Sequence, residues 1–529
     1  MPNPRICIVG GGATGLYALK ELLGSGQPWS IVIYDRGDST GPGMPYSPAD
    51  NADFMLCNAF SREIPRVTQS LVDWLRKLPT RELNEWELSR NEVHARAFYP
   101  RVLIGEFLQH EFSELVKSAA ATDCTVDVRK TTDVVDIGDA GNGRAFVRTS
   151  ADAPVEVFDH VVIATGHVWP QAPQIEDVAL FSPWPAARIA QLRENNIGIL
   201  GSSLSAIDIV VALGCARGEF EESNGVVRWT PLLDQQQLKI TMISKKGIMP
   251  EGDFYYPFPY EPLKIITAEA VNNEISLGNE KLLQRVFHLL LEELKLSDPD
   301  YVRGLGKEGL TIGEFGIAYF ERRKKLGGLA AGRKDFVKVR KSMLERKTIP
   351  YRYVLLRAHE TFDIALRSLN EADWKLFSEN LLPVFADCYA AVPHLSIARV
   401  LALYDAGILD LVDTGEAAQF TKFQEHGVSV KTDEGSYNFD ILLDARGQKA
   451  APVGELPFAS LVDLMGDKEI PISAPFKLNV AANPGLSIYC VAIPQLLERH
   501  PFTQGLQNCA EVAKVVVADI VSQRKISHR

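Results

Sequence analysis

Cysteine is sparse in this chain of 529 residues: Cys7, Cys57, Cys124, Cys215, Cys388, Cys490 and Cys509 are an odd number, scattered, and mostly set in apolar runs. That usage suits reduced core thiols rather than a disulfide framework. No CxxC or CxxxxC occurs, so neither a zinc ribbon nor the dithiol of a disulfide reductase is expected, and no metal site is expected either. No stretch approaches the ~20 uninterrupted apolar residues of a membrane helix. The start, Met1-Pro2-Asn3-Pro4-Arg5, passes into a strand pattern without the apolar core of a secretion signal. A soluble cytoplasmic protein with no membrane partner is therefore expected. An excess of positive charge is also missing: 56 Lys and Arg against 67 Asp and Glu leave a net charge of −11. Such a balance opposes a phosphate backbone, and nucleic acid is not expected as a partner.

What is present is an ordinary globular composition, 46% hydrophobic and 23% charged, which argues against collagen, coiled coil and wholesale disorder. At ~100 to 200 residues per domain, the length suggests two to four domains. The first motif comes at once. Arg5-Ile6-Cys7-Ile8-Val9 reads as a strand, Gly10-Gly11-Gly12-Ala13-Thr14-Gly15 as a tight turn, and Leu16 to Leu23 as a helix. Gly10, Gly12 and Gly15 fit GxGxxG, in which the glycines serve the turn, the approach of a pyrophosphate and the packing of helix on strand. The helix N-terminus, with Ala13 and Thr14, faces the phosphates. A second strand, Ile31 to Tyr34, ends in Asp35, 20 residues past Gly15, where a carboxylate accepts ribose hydroxyls, with Arg36 beside it. A glycine-rich turn of some other α/β protein is the plain alternative. Later, Val161-Val162-Ile163 leads into Ala164-Thr165-Gly166, where Thr165 and Gly166 would let the backbone pass close to the cofactor.

A second, degenerate copy follows. The strand Ile197 to Leu200 runs into Gly201-Ser202-Ser203-Leu204-Ser205-Ala206, with serine at the second glycine position. The next strand, Ile240 to Ile243, ends in Ser244-Lys245-Lys246 where the first copy has Asp35. A hydroxyl and two ammonium groups favour a 2′-phosphate, so NADPH is expected over NADH. Lysines on a solvated strand end are the alternative. Residues 266–410 read as mostly helical and are taken as an insertion on the substrate side. Within it, 321–347 holds eleven Lys or Arg against three acids, either a solvated helix face or a basic wall for an anionic substrate. The chain returns through Asp444-Ala445-Arg446-Gly447, an ATG-like crossover with Arg446 in place of threonine. Gly505 then precedes a last helix whose N-terminus could stabilise a reduced flavin.

These residues, together with Gly41-Pro42-Gly43-Met44-Pro45-Tyr46-Ser47, Leu56-Cys57-Asn58 and Tyr99-Pro100-Arg101, resemble the FAD-NAD(P)-binding family allied to class B flavin monooxygenases. Within that group the chain is similar to bacterial monooxygenases that N-oxidise an amino acid, the aspartate-oxidising, nitrosuccinate-forming enzymes among them. The resemblance implies two Rossmann-like α/β domains, for FAD and NADPH, with the helical insertion between them. The expected boundaries are 1–190 and 450–529 for the FAD domain, 195–265 and 411–449 for the NADPH domain, and 266–410 for the insertion. It also implies that NADPH reduces FAD and that oxygen, activated at the flavin C4a, passes to the nitrogen of a small-molecule amine or amino acid. Asn58 then lies near C4a, Met44, Tyr46 and Leu56 line the flavin, and Arg101 is a catalytic or substrate-binding candidate, as are Arg340, Arg399 and Arg446 for an acidic amino acid. His394 reads as a satisfied core histidine or a site residue. Alternatives of other classes are a flavin oxidoreductase without oxygen insertion and a non-catalytic FAD-binding protein. A homo-oligomer is left open.

Overall fold

The structure, a computed structural model, describes residues 3–169, 173–232, 237–306, 309–325, 327–390, 392–424, 427–433, 435–466, 471–480 and 483–527. The chain divides into two compact units, 1–168 with 448–529, and 169–447.

The first unit is built on a parallel sheet. Its strands are β1 (Arg5–Val9), β2 (Ser30–Tyr34), β3 (Thr125–Arg129), β4 (His160–Ile163) and the late strand Ile488–Cys490. The order across the sheet is Ile488–Cys490, β4, β1, β2, β3, with Ile6 opposite His160 and Ile31 on its two sides. All four pairings are parallel. Helix α1 (Ala13–Gly24) follows β1, and α2 (Arg101–Ser118) precedes β3. Strands covered on both faces read as continuous apolar runs, and Ile6, Cys7, Ile8, Ile33, Val161 and Ile163 are all buried. Strand order reverses between β1 and β4, and in doubly wound sheets ligands bind outside the carboxyl ends at that switch. The C-terminal helix, Leu506–Ser527, packs against α1.

The second unit repeats the plan on a smaller scale. Strands β5 (Asn196–Leu200), β6 (Lys239–Ser244), β7 (Leu409–Asp413) and β8 (Ile441–Asp444) form a parallel sheet in the order β7, β6, β5, β8. Helix α3 (Leu204–Arg217) follows β5. Between β6 and β7 the chain makes a helical layer that includes α4 (Pro299–Gly304), α5 (Ile312–Lys324), α6 (Gly328–Glu345) and α7 (Pro350–Leu366). Helix α7 packs on Leu282–Ser297 and on Leu382–Tyr389, with the Phe362 and Phe385 rings 5.0 Å apart.

This helical layer also closes around charge. Arg352 on α7 is fully buried. Its Nε lies 3.0 Å from Glu251 Oε2, and its Nη2 donates to the Gly252 carbonyl at 2.8 Å. Arg323 on α5 meets the other Glu251 oxygen at 2.9 Å and Asp387 at 3.3 Å. The Tyr319 hydroxyl donates to Asp387 at 2.7 Å, and Asp335 accepts from the Gly252 N–H at 3.0 Å. Burial would raise the Glu251 carboxyl, but the two guanidiniums hold it below the usual carboxylate range. Buried charge survives only when paired in this way.

Candidate functional site

Each parallel sheet carries a loop at the carboxyl end of its first strand, and the two loops have the same pattern of backbone bonds within their own units. In the first unit the Gly10 N–H donates to the Tyr34 carbonyl at 2.8 Å, and the Ala164 N–H to the Val9 carbonyl at 2.8 Å. In the second the Gly201 N–H donates to the Ile243 carbonyl at 2.8 Å, and the Ala445 N–H to the Leu200 carbonyl at 2.9 Å. Gly10 and Gly201 take φ of +108° and +126°, backbone that disfavours any side chain. A Cβ on Gly10 would sit 2.3 Å from the Ala164 carbonyl oxygen, and one on Gly201 would sit 2.8 Å from that of Ala445. Both glycines are thus required by the strand across the switch point. Gly15 lets α1 lie on its strand, since a Cβ there would be 2.2 Å from the Gly10 carbonyl oxygen; the matching residue on α3 is Ala206.

The loops open on the N-termini of α1 and α3, capped by Gly12 and Ser203 without any side-chain hydrogen bond. Their first-turn N–H groups are therefore available to an anion. Gly12 has an ordinary extended backbone, φ −74°, so its lack of a side chain serves space rather than conformation. A Cβ there would stand 3.2 Å from Gly43 Cα. Gly43 belongs to the loop 41–47, which is tied down by the Gly41 N–H donating to the Gly11 carbonyl at 2.7 Å. Two glycines face each other and leave a cradle that a single Cβ would fill, which fits a pyrophosphate. Ser203 at the second loop is exposed and keeps only a small hydroxymethyl group there.

The strand-end residues differ as their chemistry requires. Asp35 accepts from the Gly11 N–H at 2.6 Å and the Gly37 N–H at 2.7 Å, so its carboxylate pins the first loop while keeping lone pairs for a ribose. Arg36 beside it is exposed and lies near Asp50. In the second unit Ser244 takes that place: the Ser202 hydroxyl lies 3.0 Å from the Ser244 hydroxyl and 2.5 Å from the Ile248 carbonyl oxygen. Lys245 is exposed and reaches Glu416 at 2.5 Å, a surface pair that phosphate can displace at little cost. Lys246 lies over the Phe320 ring, 3.6 Å from its centre, and burial lowers its ammonium pKa. Ser205 follows on the first turn of α3, half-buried.

Around the first loop the structure gathers most of the other expected residues. Met44 and Tyr46 form a short turn, and Gly105 on α2 admits it, since a Cβ there would meet the Tyr46 carbonyl oxygen at 2.2 Å. The Arg101 N–H, at the start of α2, donates to the Met55 carbonyl at 2.8 Å, and Leu56 bridges Pro100. Burial pushes the Tyr46 hydroxyl and Cys57 thiol up, and Arg101 opposes both shifts. Asn58 is exposed, as is Thr165, while Thr14 is buried. Gly166, φ +71°, carries the crossover, and its carbonyl accepts from the Ile493 N–H at 3.2 Å. Gly505, φ +111°, stands just before the C-terminal helix, from which Cys509 reaches the Thr14 side chain.

Other candidates are engaged elsewhere. Arg446 folds back on Asp444, with Nε 2.7 Å from Oδ1 and Nη2 2.7 Å from Oδ2. His394 binds the Asp253 carbonyl at 2.7 Å and burial lowers its pKa, which is the behaviour of a satisfied core histidine. Arg340 reaches the Gly225 carbonyl at 3.3 Å. Gly43, opposite Gly12, and Phe320, beneath Lys246, were not among the expected cofactor residues. The run Gly41-Pro42-Gly43 was a visible signal for the first, whereas Phe320 is far along the chain from Lys246 and left none. Among the described residues no helix is long and apolar enough to cross a membrane, and no cluster of three metal-ligating side chains occurs.

Comparison with known proteins adds to this geometry. Residues 7–168 match the family described as FAD-NAD(P)-binding, and residues 267–389 match the YdhS-like middle domain. A protein of Escherichia coli K12, YdhS, itself uncharacterised, is 37% identical over 529 residues, covering 99% of each chain. Among solved structures, an ornithine N-hydroxylase of Kutzneria sp. 744 aligns over 99% of this chain and 100% of its own, at 14% identity and a TM-score of 0.52. An L-lysine 6-monooxygenase of Pseudomonas syringae aligns over 98% and 99% at 13% identity, with a TM-score of 0.46. The α/β fold with Rossmann-like dinucleotide-binding sheets is thus shared with a flavin N-hydroxylase.

Proposed function

The chain belongs to the YdhS family, with an FAD-NAD(P)-binding domain at its start, and on that premise we propose that it is a flavin monooxygenase that uses NADPH to N-oxidise the amine of a small polar amino acid, with L-aspartate to nitrosuccinate the first conversion to test. The observation that carries the reading is the pair of loops, alike in backbone bonds but unlike at the strand end, Asp35 in one and Ser244-Lys245-Lys246 in the other. An acid suits a ribose diol, and a hydroxyl with two cations suits a 2′-phosphate. In this reading the first unit holds FAD and the second NADPH. The fold shared with the ornithine N-hydroxylase supports this arrangement.

Gly12 and Gly43 give the FAD pyrophosphate room to reach the free N–H groups of α1, and Asp35 accepts from the ribose. Bound flavin, once reduced, supplies the activation of oxygen. Tyr46 and Arg101 lie together beside the first loop, and Asn58 offers an exposed amide for a polar contact to the reacting groups. Tyr46, Cys57 and Cys509, whose pKa values burial pushes up, stay neutral beside this loop.

The test is NADPH oxidation and oxygen uptake by the FAD-loaded protein across a panel of amino acids, with mass spectrometry of the products. Uptake stimulated by one amino acid, together with its N-oxidised product, is the expected result. NADPH oxidation that ignores every amine would instead favour an oxidoreductase without oxygen insertion.

A further inference from the structure

The helical layer holds a cleft of about 330 Å³ between α4, α5, α6 and the start of α7, lined by Asp298, Asp300, Tyr301, Arg322, Lys338 and Tyr351 among others. We propose that this cleft binds a small molecule carrying an oxyanion, a carboxylate or a phosphate, at a site separate from both nucleotide loops.

The basic stretch 321–347 sorts itself in the fold. Arg323 turns inward to Glu251 and Asp387, Lys324 pairs with Asp413 at 2.5 Å, Arg333 pairs with Asp405, and Lys341 lies 3.7 Å from Glu345. Arg322 and Lys338 behave differently. Among the described residues neither has a carboxylate in ion-pair range, and both sit over one aromatic pair. The Tyr301 and Tyr351 rings stack 4.1 Å apart. Arg322 stands 4.8 Å from the first ring centre and 5.9 Å from the second, and the Lys338 ammonium stands 5.0 Å from the second. Two like charges held over the same rings repel each other, and an anion between them relieves the repulsion.

Each acid of the cleft has a partner of its own. Asp298 accepts from the Tyr301 N–H at 2.9 Å and so caps α4, and Asp300 pairs with Arg303 at the exposed rim. The Tyr301 hydroxyl is buried, so what the stacked pair presents to the two cations is its ring faces. Arg322 gives one N–H to the Tyr301 carbonyl at 3.5 Å, and both cations keep further donors for an anion.

Helix geometry keeps this site apart from the second nucleotide loop. Phe320 and Lys324, four residues apart, point to the side of α5 that meets Lys246 and Asp413. Arg322, two residues past Phe320, is turned by about 200° from it. The inference therefore stands on its own, whatever reaction the flavin performs.

The experiment is calorimetric titration of the FAD-loaded, full-length protein with inorganic phosphate and, separately, with succinate. Saturable binding of either probe is expected, with phosphate alone, succinate alone or both naming the oxyanion class. Arg322→Gln with Lys338→Gln should weaken the bound probe by about tenfold or more. Both side chains are exposed, so the double variant should fold. NADPH affinity should not move, and Lys245→Ala with Lys246→Ala should leave probe binding intact. The proposal is overturned if neither probe binds at millimolar concentration, if the double variant binds the probe as the parent does, or if NADPH affinity falls in step with it.

Discussion

Substituting Gly12 separates space from backbone strain, and so tests what the first loop is for. Gly12 has a φ of −74°, which every residue adopts, and its would-be Cβ meets only the Gly43 backbone, with Cα at 3.2 Å. Alanine there needs the 41–47 loop to yield by a few tenths of an ångström. Valine places two further carbons in the cradle and holds a pyrophosphate away from the α1 N-terminus. Losing two hydrogen bonds between a charged group and backbone N–H costs about 3 to 6 kcal/mol, or roughly two to four orders of magnitude in Kd for FAD. The apoprotein, by contrast, should keep its cooperative unfolding. Gly10→Ala is the counterpart: at φ +108°, with its Cβ 2.3 Å from the Ala164 carbonyl oxygen, it should lower apoprotein stability as well as FAD retention. The assay is flavin absorbance of the purified variants, with denaturant unfolding of the apoproteins. Gly12→Val protein that purifies yellow with a full complement of FAD would refute the assignment of the cradle.

Further outcomes follow from the same structure. Lys245→Ala with Lys246→Ala should raise the KM for NADPH by about tenfold or more while sparing NADH, as steady-state kinetics with both cofactors would show; an equal effect on both would place 2′-phosphate recognition elsewhere. Arg352→Met should cost about 3 to 5 kcal/mol in urea unfolding, because it strips Glu251 and Asp335 of a fully buried partner; a loss under ~1 kcal/mol would mean that Arg323 alone satisfies the network. His160 is buried, bonds the Ser487 hydroxyl at 2.9 Å, and has its pKa lowered by burial from the usual 6.5 to about 4. It is neutral in the fold, so its contribution is whole above pH 6.5 and is lost as the pH falls through 4, roughly 3 kcal/mol in all. His160→Gln should flatten that part of the stability curve, and an unchanged curve would assign the acid sensitivity to other groups.

Local patterns carried the fold class. Strand, glycine turn and helix are contiguous in sequence, so Arg5 to Leu22 and Ile197 to Leu213 announce both sheets' first units, and the apolar β strands are recognisable because both faces are covered. The helices of the insertion were legible where their apolar spacing was clean, as in Leu282–Ser297. Helix Pro350–Leu366 showed only its last five residues, from Phe362 on, because its first turns bury Arg352 and pack tyrosines, which break the apolar pattern. The charged network of Glu251, Arg323, Asp335, Arg352 and Asp387 was not legible at all, since its members lie up to 136 positions apart and pair only after the helices pack. For the same reason the basic run 321–347 could be read as a stretch of charge but not sorted into inward Arg323 and outward Arg322. At the first loop, proximity in sequence exposed Gly12 and Asp35, while the contact of Thr14 with Cys509 needed the C-terminal helix in place.

A single-turnover experiment tests N-oxidation itself. FAD-loaded protein is reduced anaerobically with NADPH, then mixed with isotopically labelled oxygen, with and without L-aspartate or the amino acid that stimulates uptake most, while flavin absorbance is followed and products are weighed. Full reduction by one equivalent of NADPH, a reoxidation whose course changes with the amino acid, and the label on the product's nitrogen are expected of an N-oxidising monooxygenase. Reoxidation at the same rate with every amine, with all of the label in hydrogen peroxide, would contradict it.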